Sequence, residues 1–377
     1  MNICVDGIGL SMLQGTSLYS YTYEFLNNLF ARYPELECQI IWDNPIYSSP
    51  LEKMNNLSYF NLNLSRHKND YSKLEQHIKN EKVQIYHSIN NGFSIPFNKE
   101  CKNISTVYDL LPIINMAYTD KKYYEKFMTV FPNAIDKSDK IIAVSNFIKN
   151  QIIEQFNVNE DRIEVIYPGC SNYFQHIDYG LCKNILKDNY NITEDFLLYV
   201  GSIHPRKNLH TLFKVFKRLK EYNYTKNMKL VIIGKYDGKR EEYYSKLKIL
   251  AEFLNIEDSI IFKGAVDYKN MPYFYNAAQC LINLSEYDGF SLSVLEAMAC
   301  KTPVICNNNL LFREVVGDGG ILVDINDEVY MKDTILEMLL NDNYRNNVAE
   351  AGKRQSEIYK WNTAVEKTVH LYKKVIN

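Results

Sequence analysis

Short β-branched runs alternate with stretches of helical length along this chain, and the alternation occurs twice. In the first half the strand-like runs fall at residues 2–6, 39–42, 84–87, 104–108 and 140–144. In the second they fall at residues 196–200, 229–233, 259–263, 279–284, 303–306 and 320–323. Helical period fills the gaps: over residues 18–30, Leu18, Phe25 and Leu29 share a face with Tyr21. Strands separated by helices build βαβ units and parallel sheets. The doubled pattern predicts an α/β chain of two doubly wound, Rossmann-like domains, and 377 residues is a length that two cores suit better than one.

The turn at Tyr167-Pro168-Gly169 closes the first set, and the polar stretch over residues 171–194 leads into the second. The expected organisation is an N-terminal domain over residues 1–170, a C-terminal domain over 171–360, and a last helix over 361–377 able to pack back on the first domain. A formal net charge of −2 gives no global attraction to nucleic acid or to an anionic membrane. The eight cysteines are scattered without a C-x-x-C pair, which reads as reduced thiols with no disulfide or metal role. The N-terminus carries Asp6 where a signal peptide needs apolar residues, and no apolar run nears the ~18 residues of a membrane span. A cytoplasmic, soluble protein is expected. Residues 118–127 mix cations with aromatics as a membrane-surface helix does, but interspersed acids favour a solvated helix. Peripheral membrane contact and oligomeric state stay open.

In open parallel sheets ligands sit beyond the carboxyl ends of strands. Two segments there carry chemistry. After the strand at residues 196–200 comes Gly201-Ser202-Ile-His-Pro-Arg206-Lys207-Asn208, a tight loop with two adjacent cations before a helix. A diphosphate needs such charge, and a helix N-terminus adds N–H donors. The plainer reading is a pair of solvated surface cations. After the strand at residues 279–284 comes Asp288-Gly289-Phe290-Ser291-Leu292-Ser293, with Glu296 one turn into the following helix. Glu296 is placed to take ribose hydroxyls, but Ser293-x-x-Glu296 is also a capping box. Both readings stand at this level.

The segment from Asp288 through Glu296 to Pro303 resembles the Glu-x7-Glu signature of the retaining family-4 glycosyltransferases, and Gly201 to Leu209 resembles their diphosphate loop. Ile142-Ala-Val-Ser145, Val165-Ile-Tyr-Pro-Gly169, Pro272 through Ala278 and Glu314-Val-Val-Gly317 match in order too, so the resemblance spans nearly the whole chain. It implies a GT-B fold, two domains facing across a cleft, and transfer of a hexose-type sugar from a nucleotide-diphosphate donor with retention. The acceptor would be a glycan, a lipid-linked molecule or a protein. No cofactor and no catalytic metal are implied: Lys207 and Arg206 would neutralise the diphosphate. Glu296 would bind ribose, Asp288 would lie beside the sugar, and the backbone of Gly201, Ser202, Val266, Gly289, Phe290, Ser291 and Leu292 would meet the donor. Asp6, Gly7, Gly15 and Thr16 would form the acceptor side, with His87, Tyr108 and Asp109 at catalytic positions.

Three departures qualify that picture. The first acid of the signature is Asp288, one methylene shorter than Glu, with Glu286 out of register. Tyr108 replaces the family's usual His, and a phenol donates a hydrogen bond but is no base near neutral pH. Ser17 stands where a second loop glycine is usual. Both His87 and Asp109 also have structural readings, as a hydrogen-bonded core histidine and a turn cap. A catalytically silent partner of the same fold and a GT-B-type nucleotide-sugar epimerase are the alternatives to an active transferase.

Overall fold

The chain is described by a computed structural model over residues 1–13, 15–43, 51, 57–62, 72–96 and 100–376. Its first sheet holds β1 (Asn2–Asp6), β2 (Glu37–Trp42), β3 (Leu57–Asn61), β4 (Ile85–Ser88), β5 (Lys102–Val107), β6 (Lys140–Ala143) and β7 (Ile163–Val165). The second holds β8 (Phe196–Val200), β9 (Lys229–Ile233), β10 (Ile260–Gly264), β11 (Cys280–Asn283), β12 (Val304–Asn307) and β13 (Ile321–Val323). Every pairing is parallel. The orders are β3-β2-β1-β4-β5-β6-β7 and β10-β9-β8-β11-β12-β13. Each order reverses once, between β1 and β4 and between β8 and β11. At such a reversal the connecting helices leave to opposite faces, and a crevice opens at the strands' carboxyl ends.

Compactness divides the chain into Met1–Gly169 with Lys360–Asn377, and Cys170–Tyr359. In the second unit the helix Leu209–Leu219 shows how sequence drives packing. Leu209, Leu212, Phe213, Phe216 and Leu219 recur at helical spacing and are buried. They join Leu230 and Ile232 of β9 and Leu197 and Tyr199 of β8 in one core cluster. That docking fixes the loop entering the helix against the end of β8.

In the first unit the helix Trp361–Ile376 packs on the helix Ser17–Arg32. Trp361 stands edge-on to Tyr21 with ring centroids 5.1 Å apart, and Glu366 pairs with Arg32. Gly169 makes this return possible, because a Cβ there would lie 2.0 Å from the Trp361 backbone nitrogen. The sequence pattern misses β3. As an edge strand whose five residues are all half-buried or exposed, it carries no apolar run to announce it. In the helix Lys121–Lys137, Phe127, Phe131, Ala134 and Ile135 are buried, whereas Lys121, Lys122 and Glu125 are exposed. No described helix is long and apolar enough to cross a membrane. The cysteines are free, and no cluster of three metal-ligating side chains occurs among the described residues.

Candidate active site

The loops after β8 and β11 flank the second sheet's reversal and are tied into one body. The Glu286 N–H donates to the Arg206 carbonyl at 2.9 Å. Asn208 donates through Nδ2 to the Leu284 carbonyl at 3.1 Å and to Glu286 Oε1 at 3.0 Å. Asn307 and Asn309 both donate to the Ser285 carbonyl at 3.0 Å. Asn208 adopts a left-handed φ of 54°, a conformation that Asn tolerates well, and this turns the chain from the cation loop into its helix. Below the loops, a Cβ on Gly234 would come 1.8 Å from the Gly201 carbonyl oxygen, so glycine lets the ends of β8 and β9 close together.

Lys207 and Arg206 converge on Asp288. Lys207 Nζ lies 2.7 and 2.6 Å from the two carboxylate oxygens, and Arg206 Nη1 donates to Oδ1 at 2.7 Å. Arg206 also donates to the Tyr287 carbonyl. The three side chains are only 8%, 18% and 12% exposed for Lys207, Arg206 and Asp288, which excludes the reading of solvated surface cations. Burial alone would raise the Asp288 carboxyl, but Lys207 and Arg206 outweigh it and hold the pKa at about 2. Glu286, the acid out of register, serves Asn208 and so fixes the loop.

The helix Leu292–Ala299 begins after Ser291, whose φ of 70° is left-handed for a non-glycine residue. Such a residue costs about 1–2 kcal/mol, and Asn283 Nδ2 holds it by donating to its Oγ at 3.0 Å. The capping-box reading of Glu296 fails here. Ser291, not Ser293, is the N-cap, and its side chain caps nothing. Glu296 Oε2 instead accepts from the Tyr275 hydroxyl at 2.6 Å. Tyr275 comes from the helix Met271–Ala277, and its backbone carbonyl is held by Thr302 Oγ1 at 2.7 Å. Gly289 and Phe290 lie in the turn between Asp288 and this helix, and Phe290 is buried against the Tyr359 ring. The Ser202 carbonyl accepts from the Tyr199 hydroxyl at 2.9 Å. Val266 follows β10, two residues beyond Gly264, which lies under the Tyr236 ring.

In the first unit the structure gives each of the expected residues a packing or turn contact. His87 is 1% exposed, with Nδ1 2.6 Å from the Tyr372 hydroxyl and Nε2 2.8 Å from Thr106 Oγ1. Burial lowers its pKa to about 3, so it is a neutral core histidine with both nitrogens engaged. Asp6 is likewise 1% exposed: it accepts from the Ile8 N–H at 2.8 Å and from Ser94 Oγ at 2.5 Å. It organises the turn after β1 and offers no carboxylate at a surface. Gly7 is buried where a Cβ would meet Ile40 at 2.4 Å, and Thr16 caps the helix Ser17–Arg32. Gly15, with φ of 72°, supplies the left-handed turn before that cap. Asp109 Oδ1 accepts from the Leu111 N–H at 3.2 Å, a local turn contact. Tyr108 stands edge-on to Tyr21, and its buried hydroxyl has no hydrogen-bond partner among the described residues.

Sequence reading passes over Asn208, Asn283, Asn307, Asn309 and Tyr275, which hold the site's residues in place. The available signal was asparagines at or just after strand ends, where their side chains donate to loop carbonyls and hydroxyls.

Comparison with known proteins decides the family. A model of glycosyl transferases group 1 matches residues 183–355, and one of Glycosyltransferase Family 4 matches residues 51–171. O-antigen chain mannosyltransferase B of Escherichia coli is 30% identical over 299 residues, covering 78% of this chain and 76% of that protein. This chain belongs to the group 1 glycosyltransferases. Sucrose-phosphate synthase from Thermosynechococcus elongatus has a similar structure, with a TM-score of 0.80 and 16% identity over 100% of this chain and 99% of that one. Anabaena Alr3699/HepE in complex with UDP-glucose gives a TM-score of 0.77 at 15% identity, over 98% of this chain and 100% of that one. These glycosyltransferase structures share the fold, two Rossmann-like domains of GT-B type, and the enzyme class of this chain is glycosyltransferase.

Proposed function

We propose that this glycosyltransferase moves a hexosyl group, mannose foremost, from a nucleoside-diphosphate sugar to a growing glycan with retention and without a catalytic metal. The observation that carries this reading is the meeting of Lys207 and Arg206 at the reversal of the second sheet, one loop away from Glu296. As the glycosidic bond breaks, the leaving diphosphate gains negative charge. Cations already positioned for it stabilise the transition state more than the ground state. The turn from Gly289 to Leu292 presents the N-terminus of the helix Leu292–Ala299 beside them, adding N–H donors and a favourable dipole. Glu296, oriented by Tyr275, takes ribose hydroxyls. Mannose is favoured because the E. coli relative is named an O-antigen chain mannosyltransferase, and the same name supports a glycan acceptor. The UDP-glucose complex of a protein of the same fold supports a nucleotide-sugar donor.

The test is a donor panel of GDP-mannose, UDP-glucose, UDP-N-acetylglucosamine and dTDP-rhamnose with a mannose-ended oligosaccharide acceptor. Transfer from GDP-mannose giving an α-linked product, unaffected by EDTA, is expected. A β-linked product from GDP-mannose would refute retention. Binding without transfer or slow hydrolysis of any donor would favour the silent-partner alternative.

A further inference from the structure

Asp288 takes up the hydrogen-bonding capacity that a phosphate would use. Its two oxygens receive Lys207 Nζ at 2.7 and 2.6 Å, and Oδ1 also receives Arg206 Nη1 at 2.7 Å. One carboxylate thus satisfies two cations, with a spacing and charge that phosphate oxygens reproduce. The nearby acids Glu286 and Glu296 accept from Asn208 and Tyr275. A buried cation keeps a partner of opposite sign, so a diphosphate reaching Lys207 and Arg206 competes with Asp288 for them.

Resting on the diphosphate reading above, we propose that Asp288 is an exchangeable counterion. It holds Lys207 and Arg206 in position and gives both up to the phosphates of the incoming donor. The carboxylate so released is close to the arriving sugar phosphate, where two like charges repel, so it turns away from the phosphates. Asp288 therefore sets the donor affinity of the site in a direction opposite to that of a binding residue. It lowers affinity for the diphosphate while keeping the cations aligned.

The experiment measures the affinity of inorganic pyrophosphate and of GDP and UDP by calorimetry, for the wild type, Asp288→Asn and Asp288→Glu. Thermal unfolding of each variant confirms that it is folded. Pyrophosphate binding to Asp288→Asn is expected to tighten about tenfold or more, because no carboxylate competes for the cations. Asp288→Glu keeps the competing charge and is expected to stay within about threefold of the wild type. The remote, exposed change Asp342→Asn controls for loss of one negative charge and is expected to leave affinity unchanged. Weaker or equal binding by folded Asp288→Asn, with the wild type binding normally, overturns the counterion while leaving the diphosphate site intact. No binding of pyrophosphate, GDP or UDP by any folded variant removes the diphosphate reading and the counterion with it.

Discussion

At the scale of single residues, burial separates side chains that carry charge for chemistry from those that carry it at a cost. Among the described residues Asp6 has N–H and hydroxyl partners, and burial raises its pKa from 3.8 to about 6 against the opposing bonds from Ser94, Ile8 and Ser88. The folded state therefore binds more protons than the unfolded one between those values. The associated stability is complete below about pH 3.8 and is lost as pH rises through 6. His87 has the opposite sign in an overlapping window: its folded pKa of about 3 lies below the usual 6.5, so stability falls as pH drops below 6.5. The wild-type curve blends the two, and Asp6→Asn separates them. The stability gap between Asp6→Asn and the wild type is expected to grow from pH 4 to 6, by up to about 3 kcal/mol, and then level off. A gap that does not vary with pH would show that Asp6 is not ionising there. Glu296 is a test of another kind. Since it caps no helix, Glu296→Ala is expected to weaken GDP or UDP binding by about 1–3 kcal/mol, the loss of a polar anchor, and a change in melting temperature alone would count against the ribose role. Tyr108→Phe removes a buried hydroxyl that has no partner among the described residues. It is expected to be neutral or stabilising in denaturant titrations, with reduced turnover only if substrate engages that hydroxyl.

At the scale of elements, the strand pattern reveals the two sheets because parallel strands buried on both faces must be apolar along their length. The runs at residues 229–233 and 196–200 coincide with β9 and β8, both members of the second core. What the pattern lacks is equally physical. β3 sits at a sheet edge and needs no apolar face. His87 and Asp6 end β4 and β1 in positions that favour a ligand, yet a hydroxyl from Tyr372, 285 residues away in sequence, is what engages His87. No local pattern encodes that contact. The cation loop and the Asp288 loop were legible because both follow strands in the expected way, but their pairing comes from tertiary structure. The last helix makes a specific expectation. Tyr372→Phe keeps the ring packing near His87 and deletes one hydroxyl, leaving Nδ1 without its 2.6 Å partner in a site closed to water. A loss of about 1–3 kcal/mol in unfolding free energy is expected, with nucleotide affinity unchanged. A variant as stable as the wild type would mean that the Tyr372 hydroxyl adds nothing to the docking of the helix.

At the scale of the whole molecule, the charge of the chain explains why the local cations matter. With 43 basic and 45 acidic side chains, the protein has no overall field to gather a polyanionic donor. Attraction for the proposed diphosphate would come from short-range groups, and Lys207, 8% exposed, is screened by salt far less than a surface lysine. On the proposed metal-free mechanism, the same placement would let two protein cations perform the charge neutralisation that a divalent metal would otherwise supply. Lys207→Ala is therefore expected to lower kcat/KM by about 100- to 1,000-fold, the usual consequence of removing one preorganised transition-state donor. EDTA is expected to change neither wild-type nor variant rates, and added magnesium should not restore the variant. Because the substitution also leaves Asp288 with Arg206 alone, stability must be followed in parallel, and Lys207→Ala with Asp288→Asn removes both members of the pair. If the double variant regains the wild-type melting temperature but lacks the rate that Asp288→Asn alone retains, the lost activity belongs to the cation itself. If EDTA silences the wild type and magnesium revives it, the charge on the leaving diphosphate is met by a metal and the metal-free mechanism is wrong.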